Sequence, residues 1–220
     1  MNVFDVVGPV MVGPSSSHTA GAVRIGLAAR KLMGEEIKDA EILLHGSFLA
    51  TGHGHGTDLA LVAGLMGLAV DDERIRKSFL LAKRQGMSFR FGAIDLGDDV
   101  HPNSVKLVLE SVSGKRLEVV ASSVGGGRIW ISRIDGMKAG FSGEYHTLIV
   151  HNQDRPGCVA NVTSMLHEKG VNSATMQVYR SGRGGHAVMV IECDDEVPRE
   201  SLERLEHLDG VESVTYYSPA

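Results

Sequence analysis

The first 134 residues mix helix-like and strand-like patterns of apolar positions. Val23, Leu27 and Leu32 recur at helical spacing and predict a helix over 20–33, while the apolar run 41–45 has the length of a strand. The other elements predicted in this part are helices over 59–70 and 71–84 and strands over 87–94, 104–112, 117–123 and 128–134. Helices first and an antiparallel meander later favour an α+β domain with its helices on one face of a sheet.

The C-terminal third follows a different pattern, in which strands and helices come in the order βαββαβ. The predicted strands are 145–151, 172–180, 187–193 and 211–217, with one helix after Pro156-Gly157 and another from Pro198. This order is that of a ferredoxin-like fold. Glycines and a serine before the first of these strands indicate a linker. We therefore expect one domain over 1–134, a linker over 135–144 and a second domain over 145–220.

Composition and charge narrow the possible functions. The chain has 220 residues, a formal net charge of −5 and no basic block, which argues against a nucleic-acid partner. It contains no apolar run of the ~20 residues that span a bilayer, and its first residues lack a charged leader region, so we expect a cytoplasmic protein without a membrane partner. The only cysteines, Cys158 and Cys193, could form one disulfide, but a cytoplasmic location favours buried thiols. Two cysteines are too few for an iron–sulfur cluster.

An unusual concentration of polar groups precedes the first predicted helix. One serine or threonine suffices to cap a helix, but here four hydroxyls and an imidazole occur together. A helix N-terminus offers free N–H groups and a positive dipole, which suit a small carboxylate or phosphate. The segment is therefore either a serine-rich capping loop or a ligand site. The candidate ligand-binding residues are Ser15, Ser16, Ser17, His18 and Thr19.

The glycine-rich segment 52–58 places histidines between glycines and ends at the start of another predicted helix. Imidazoles are the usual proton carriers near neutral pH, so His53 and His55 are candidates for acid–base chemistry. Thr57 or Asp58 is placed to cap the following helix. Two other interpretations remain open. The histidines could bind a metal together with His45 and His18, or they could be incidental to a glycine-rich connection.

The C-terminal domain resembles the ACT domain, because D-R-P-G follows its first strand and G-V-N follows its first helix. The resemblance implies amino-acid binding between two copies, with homodimerisation through the sheet edges. It assigns a regulatory role to four residues: Asn152, Asp154, Gly157 and Asn172. The similar serine-binding ACT domains of phosphoglycerate dehydrogenase carry histidine and asparagine where this chain has Asn152 and Asp154. Both serine binding and a role in assembly alone remain open.

Four motifs in order make the whole chain similar to one family. They are G-P-S-S-S-H-T at 13–19, G-S-x-x-x-T-G-x-G-H-G-T-D at 46–58, H-P-N at 101–103 and S-V-G-G-G at 123–127. With the ACT domain, they resemble the beta subunit of iron–sulfur-dependent L-serine dehydratases. The resemblance implies an N-terminal domain like the allosteric substrate-binding domain of phosphoglycerate dehydrogenase. It also implies an alpha subunit partner that holds a [4Fe–4S] cluster, with no metal ligand in this chain.

The reaction that the resemblance implies converts L-serine to pyruvate and ammonia, which requires a base for the α-proton and donors for the carboxylate. The expected catalytic residues are His55, with Thr57 and Asp58 behind it, and His18; His53 is a weaker candidate. Substrate binding is expected from the remaining polar groups: Ser15, Ser16, Ser17, Thr19, Thr57, Asp58 and Asn103. Two alternatives remain, a purely regulatory serine-sensing subunit and an independent histidine-metal enzyme.

Overall fold

The computed structural model describes residues 10–219, so the first nine residues of the predicted N-terminal domain lie outside it. The chain divides into two compact units between Gly136 and Met137. The segment predicted as a linker contains a short strand at Met137–Phe141.

The described part of the first unit contains the α-helices and strands expected from its apolar pattern, with one additional helix after the first strand. Its helices are α1 (Ala22–Met33), α2 (Gly46–His55), α3 (Thr57–Leu65) and α4 (Ser78–Arg84), with a π-helical turn at Ser16–Gly21 and a 3-10 helix at Glu73–Lys77. Its strands are β1 (Ile37–His45), β2 (Ser88–Ala93), β3 (Asn103–Ser111), β4 (Arg116–Gly125) and β5 (Arg128–Ile134). They follow one another in a sheet in the order β2-β1-β3-β4-β5.

The sheet of the first unit buries one face beneath its helices. β1 pairs with β2 in parallel and with β3 in antiparallel register, where Ile42 lies opposite Leu107 and Leu44 opposite Val105. These four side chains are buried, whereas Leu43, Lys106 and Val108, which alternate with them, are only partly buried. Alternation of this kind requires a covered and an open face, and α1 contacts β3, β4 and β5 on the covered one. The predicted meander and its helix layer are confirmed.

Helices α1 and α3 cross at two glycines. A Cβ on Gly26 would lie 2.5 Å from the carbonyl oxygen of Leu61, and one on Gly64 would overlap the carbonyl oxygen of Val23. The two backbones therefore approach more closely than any side chain permits. This crossing joins the end of α3 to the first half of α1, while a hydrogen bond from Thr57 to the carbonyl oxygen of His18 holds the start of α3 beside the candidate polar residues.

Several predicted boundaries in the first unit were wrong. The glycine-rich segment after β1 is not a loop, because most of it belongs to helix α2. The residue that caps α3 is Gly56, not Thr57 or Asp58, and the helix ends at Leu65 rather than at 70. The helix predicted over 71–84 is divided into the 3-10 helix and α4. Asp72 accepts a hydrogen bond from the backbone N–H of Arg74 and so caps the start of the 3-10 helix.

The second unit has the predicted ferredoxin-like order. After β6 (Met137–Phe141), its elements are β7 (His146–Gln153), α5 (Cys158–Glu168), β8 (Ser173–Arg180), β9 (His186–Cys193), α6 (Arg199–Glu206) and β10 (Val211–Tyr217). The antiparallel sheet has the order β10-β7-β9-β8. Its core joins Leu148 and Met189 of the sheet to Val162 and Leu205 of the two helices.

Both cysteines are free and buried in the second unit, as the sequence indicated. Burial raises the pKa of the Cys193 thiol to about 11, and the nearby carboxylates of Asp194 and Asp195 act in the same direction. Among the helices of residues 10–219, none is both long enough and apolar enough to cross a membrane.

Candidate functional site

The serine-rich segment forms a capped turn that begins the first helical region. Ser15 has an extended backbone, and its side-chain oxygen accepts a hydrogen bond from the backbone N–H of His18 at 3.1 Å. The following residues form the π-helical turn, a rare conformation that occurs often at functional sites. One serine therefore does the capping, and the other polar side chains of the segment are available for other contacts.

The ring of His18 lies among hydroxyl groups from two elements. Its Nδ1 is 3.3 Å from Ser17 Oγ, and its Nε2 is 3.2 Å from Ser47 Oγ and 3.1 Å from Thr51 Oγ1 on α2. The edge of the ring packs against buried Phe48, with 5.3 Å between the ring centroids. These contacts hold both nitrogens of a half-buried imidazole in defined directions.

His55 completes a pair of histidines at this position. Its ring centroid lies 5.1 Å from that of His18, at a tilt of 48°. His55 is exposed, and its ring nitrogens have no hydrogen-bond partner among residues 10–219. Gly56, with φ of +70°, ends α2 and begins α3, and a left-handed residue there favours glycine. This sharp break leaves His55 at the end of α2, free to contact a ligand or another chain.

Two threonines connect the backbones of the two segments. The hydroxyl of Thr57 donates to the carbonyl oxygen of His18 at 3.0 Å, and that of Thr19 donates to the carbonyl oxygen of His55 at 3.4 Å. Both threonines are buried. Their hydroxyls therefore hold the two histidines together by satisfying carbonyl groups, which makes them less accessible to a ligand than Ser16 or Ser17.

The electrostatics of the pair favour neutral imidazole at position 18. Burial lowers the pKa of His18, and the positive charge that His55 can carry lowers it further, while a hydrogen bond at the backbone of Ser47 acts in the opposite direction. A neutral imidazole has one nitrogen that can accept a proton. His18 is thus suited to act as a base near neutral pH.

Asp58 has a different partner from the one expected: its carboxylate pairs with His53 and not with His55. Its Oδ2 is 2.8 Å from His53 Nδ1, and its Oδ1 accepts a hydrogen bond from the backbone N–H of Leu59. The His53 side chain is 98% exposed. The pair lies at the surface beside the cluster, so Thr57 and Asp58 do not support the His55 ring as the sequence suggested.

Asn103 and Ser16 lie at the margins of this arrangement. The backbone of Asn103 bridges to Gly46, and the adjacent carbonyl of Pro102 accepts the N–H of Ser47 at 2.8 Å. The H-P-N segment therefore caps the start of α2, the helix that carries Ser47 and Thr51. Ser16 is half-buried in the π-helical turn, and its hydroxyl has no hydrogen-bond partner in the described range.

Sequence reasoning missed Ser47 and Thr51. Both occur in the motif at 46–58, and their spacing of four places them on one face of a helix. A spacing of four indicates a shared face only in a helix, and the glycines of this segment do not predict one. The S-V-G-G-G motif has a supporting position, because Ser123 packs against Gly21 and the carbonyl of Gly127 accepts a hydrogen bond from Arg24 at 3.0 Å.

The candidate regulatory residues of the second unit lie mostly at the turn between β7 and α5. Asn152 is buried and donates through Nδ2 to the carbonyl oxygen of Gln153, while its Oδ1 has no hydrogen-bond partner in the described part of the chain. Asp154 accepts from the backbone N–H of Gly184 at 3.1 Å. Gly157 caps α5, whereas Asn172 donates to Asp194 at 2.6 Å.

The described residues do not fit an iron–sulfur cluster or another bound metal. Within positions 10–219, no three side chains of histidine, cysteine, aspartate or glutamate converge on one point. The two thiols are buried in the second unit, and a cluster needs three or four thiolates. The histidine-metal interpretation has no ligand set among these residues.

Comparison with known proteins gives the same division of the chain. Residues 2–133 match the family described as serine dehydratase beta chain, and residues 146–210 match the ACT domain. The chain is 40% identical to the L-serine dehydratase beta chain of Peptoniphilus asaccharolyticus, over 97% of its own length and 95% of the relative. It is 39% identical to the probable L-serine dehydratase beta chain of Bacillus subtilis, over 97% and 96%.

A more distant similarity concerns a different enzyme. The chain is 30% identical to the D-3-phosphoglycerate dehydrogenase of Methanocaldococcus jannaschii over 53% of its own length and 22% of that protein. The expected relation of the fold to a region of that dehydrogenase is confirmed.

Proposed function

Because the chain belongs to the serine dehydratase beta chain family, we propose that its histidine–hydroxyl cluster forms part of the site at which the complete enzyme converts L-serine to pyruvate and ammonia. The observation that carries the proposal is the convergence of two sequence motifs. They place the rings of His18 and His55 5.1 Å apart, among hydroxyl groups at the start of a helical region. Such a position combines proton acceptors with donors for a carboxylate.

The chemistry assigns different tasks to the two histidines. Loss of water from L-serine removes the α-proton and the β-hydroxyl, and the resulting aminoacrylate tautomerises and is hydrolysed to pyruvate and ammonia. His55 is exposed and its ring nitrogens have no partner among residues 10–219, so it is the group that can reach the amino acid and exchange a proton with it. His18 is half-buried and neutral, and it orients or accepts from the hydroxyls around it.

The cluster is an open surface rather than a closed pocket, which supports a site shared with another chain. Gly54 and Gly56 next to His55 have nothing within 4 Å of an added Cβ. Elimination of water needs a site from which bulk water is excluded. We therefore propose that an alpha subunit covers the cluster and that this subunit, not the beta chain, holds the [4Fe–4S] cluster. We also infer a cytoplasmic location, because the two buried cysteines do not form a disulfide.

The test is reconstitution with the alpha chain under anaerobic conditions. The beta chain should co-purify with a brown, oxygen-sensitive alpha chain, and only the mixture should release pyruvate from L-serine at full rate. Pyruvate release by the alpha chain alone at the same rate would contradict the proposal. A chain that lacks the ACT domain, residues 145–220, serves as an internal control, because this removal should leave the histidine cluster intact.

A second function is supported by the turn between β7 and α5. None of the residues that the structure describes bonds to the Oδ1 atom of buried Asn152, and a buried unpaired acceptor is costly unless something binds it. We infer that this turn binds L-serine as a regulator, in a homodimer formed through edge strands of the ACT sheet. Calorimetric titration of serine into the full chain, compared with Asn152→Ala, tests this; equal binding by both would contradict it.

A further inference from the structure

The hydroxyl groups around His18 form a continuous chain of hydrogen bonds. It runs from Ser15 Oγ to Ser17 Oγ at 3.4 Å and on to His18 Nδ1 at 3.3 Å. From the other side of the ring, Nε2 reaches Thr51 Oγ1 at 3.1 Å, and that hydroxyl donates to the carbonyl oxygen of Ser47 at 2.9 Å. Every polar atom in this chain has a neighbour at hydrogen-bond distance.

The last atom of the chain sets the direction of all its bonds. A carbonyl oxygen can only accept, so the single proton of the Thr51 hydroxyl points to Ser47. Thr51 Oγ1 then presents a lone pair to His18, which favours the tautomer with the proton on Nε2. Nδ1 is left as an acceptor, and the Ser17 hydroxyl donates to it. Because its proton points to Nδ1, Ser17 Oγ can only accept hydrogen bonds from Ser15 and from a ligand.

The opposite tautomer places like atoms against each other. With the proton on Nδ1, Nε2 would accept from Ser47 Oγ at 3.2 Å, but its lone pair would also face the lone pair of Thr51 Oγ1 at 3.1 Å. Relief would require Thr51 to give up its bond to the carbonyl oxygen of Ser47. In the first arrangement the Nε2 proton lies between two oxygens that can accept it, and Thr51 keeps its bond to the carbonyl; this favours the arrangement by about the value of one hydrogen bond, on the order of threefold to tenfold in population.

We propose that Thr51 is a positioning residue that holds neutral His18 in the Nε2–H tautomer and leaves Nδ1, beside Ser17, as the proton-accepting atom of the cluster. The consequence for turnover rests on the proposed function. Ser17, whose own proton is committed to Nδ1, then offers an acceptor that suits the ammonium or hydroxyl group of an amino acid. Ser16, which has no such commitment among the described residues, remains able to donate to the carboxylate.

The tautomer can be measured without any activity. In the full chain labelled with ¹⁵N-histidine, at a pH where His18 is neutral, two-bond ¹H–¹⁵N spectra should show a protonated Nε2 and an unprotonated Nδ1. Thr51→Val removes the hydroxyl at nearly constant shape and should raise the Nδ1–H population about threefold to tenfold, as expected for one lost hydrogen bond. Thr51→Ser should restore the wild-type spectrum.

The control is Thr163→Val, because Thr163 makes the same hydroxyl bond to a carbonyl one turn earlier in α5, at 2.9 Å. This variant should leave the His18 signals unchanged. A wild-type Nδ1–H tautomer, or a Thr51→Val spectrum identical to wild type with the fold intact by circular dichroism, would overturn the proposal. The kinetic readout separates the two claims. If the tautomer responds to Thr51 but the pH profile of kcat/KM for serine does not, Thr51 positions His18 and the proposed role of His18 in turnover is wrong.

Discussion

The imidazole rings of His18 and His55 lie 5.1 Å apart, one held by the π-helical turn before α1 and the other at the end of α2. At this distance a positive charge on His55 opposes protonation of His18. The half-buried ring has defined partners for both nitrogens, and the exposed one has none among residues 10–219. The pair thus combines one fixed neutral imidazole with one free imidazole.

The first prediction concerns the pH behaviour of His18. Its pKa is lowered first by burial and then by His55, so its NMR titration midpoint should lie below the usual histidine value of 6.5. Replacing His55 with glutamine should move that midpoint upward. The unfolded chain binds this proton more tightly than the folded one. The stability that neutral His18 contributes to the free energy of unfolding is therefore fully present above pH 6.5. It is lost as the pH falls through the lowered pKa of His18. A midpoint at or above 6.5 would contradict the assignment.

The second prediction concerns the crossing of α1 and α3. Gly64→Ala places a Cβ against the backbone carbonyl of Val23 and should lower the free energy of unfolding by about 1–3 kcal/mol, the usual cost of overpacking. Gly54→Ala is the matched control, because this glycine is also helical and an added Cβ meets nothing within 4 Å. It should be neutral or stabilise by up to about 1 kcal/mol. Urea unfolding measures both, and equal stabilities of the two variants would refute a tight crossing.

The third prediction concerns the thiols. Cys193 is fully buried with its pKa raised to about 11, and Cys158 is 7% exposed. At pH 8 the folded chain should react with a disulfide reagent such as DTNB only at the rate of unfolding, and two thiols per chain should appear at once in guanidinium. Rapid labelling of the folded chain, or fewer than two thiols in the unfolded chain without reductant, would contradict this description.

Most of the regular elements could be predicted because apolar positions recur in them at the spacing of a helix or a strand. β3 alternates with period two from Val105 onward, β4 begins with the same alternation, and the βαββαβ order of the second unit follows from similar runs. Helix α2 could not be predicted, because its glycines oppose a helix. Burial of Phe48 and the carbonyl cap from Pro102 override that propensity.

In the candidate site, the sequence indicated which residues take part but not which of them contact one another. The polar excess around Ser15–Thr19 was visible in the sequence, and so was the second histidine segment. The hydrogen bonds from His18 to Ser47 and Thr51 depend on α2 being a helix, and the pairing of Asp58 with His53 depends on the break at Gly56. A loop interpretation therefore placed Asp58 behind the wrong histidine.

The central claim is that this chain contributes His55 to serine turnover, and a single substitution tests it most directly. The complex with the alpha chain is prepared with wild type, His55→Ala and His167→Ala, and pyruvate release from L-serine is measured by coupling to lactate dehydrogenase. His167 is the matched control, since it is an exposed histidine in the last turn of α5. We predict that His55→Ala lowers kcat by about 100-fold or more, the usual effect of removing a general base, while His167→Ala keeps the wild-type rate. Wild-type kcat in the His55→Ala complex would contradict the claim and leave the chain a regulatory role alone.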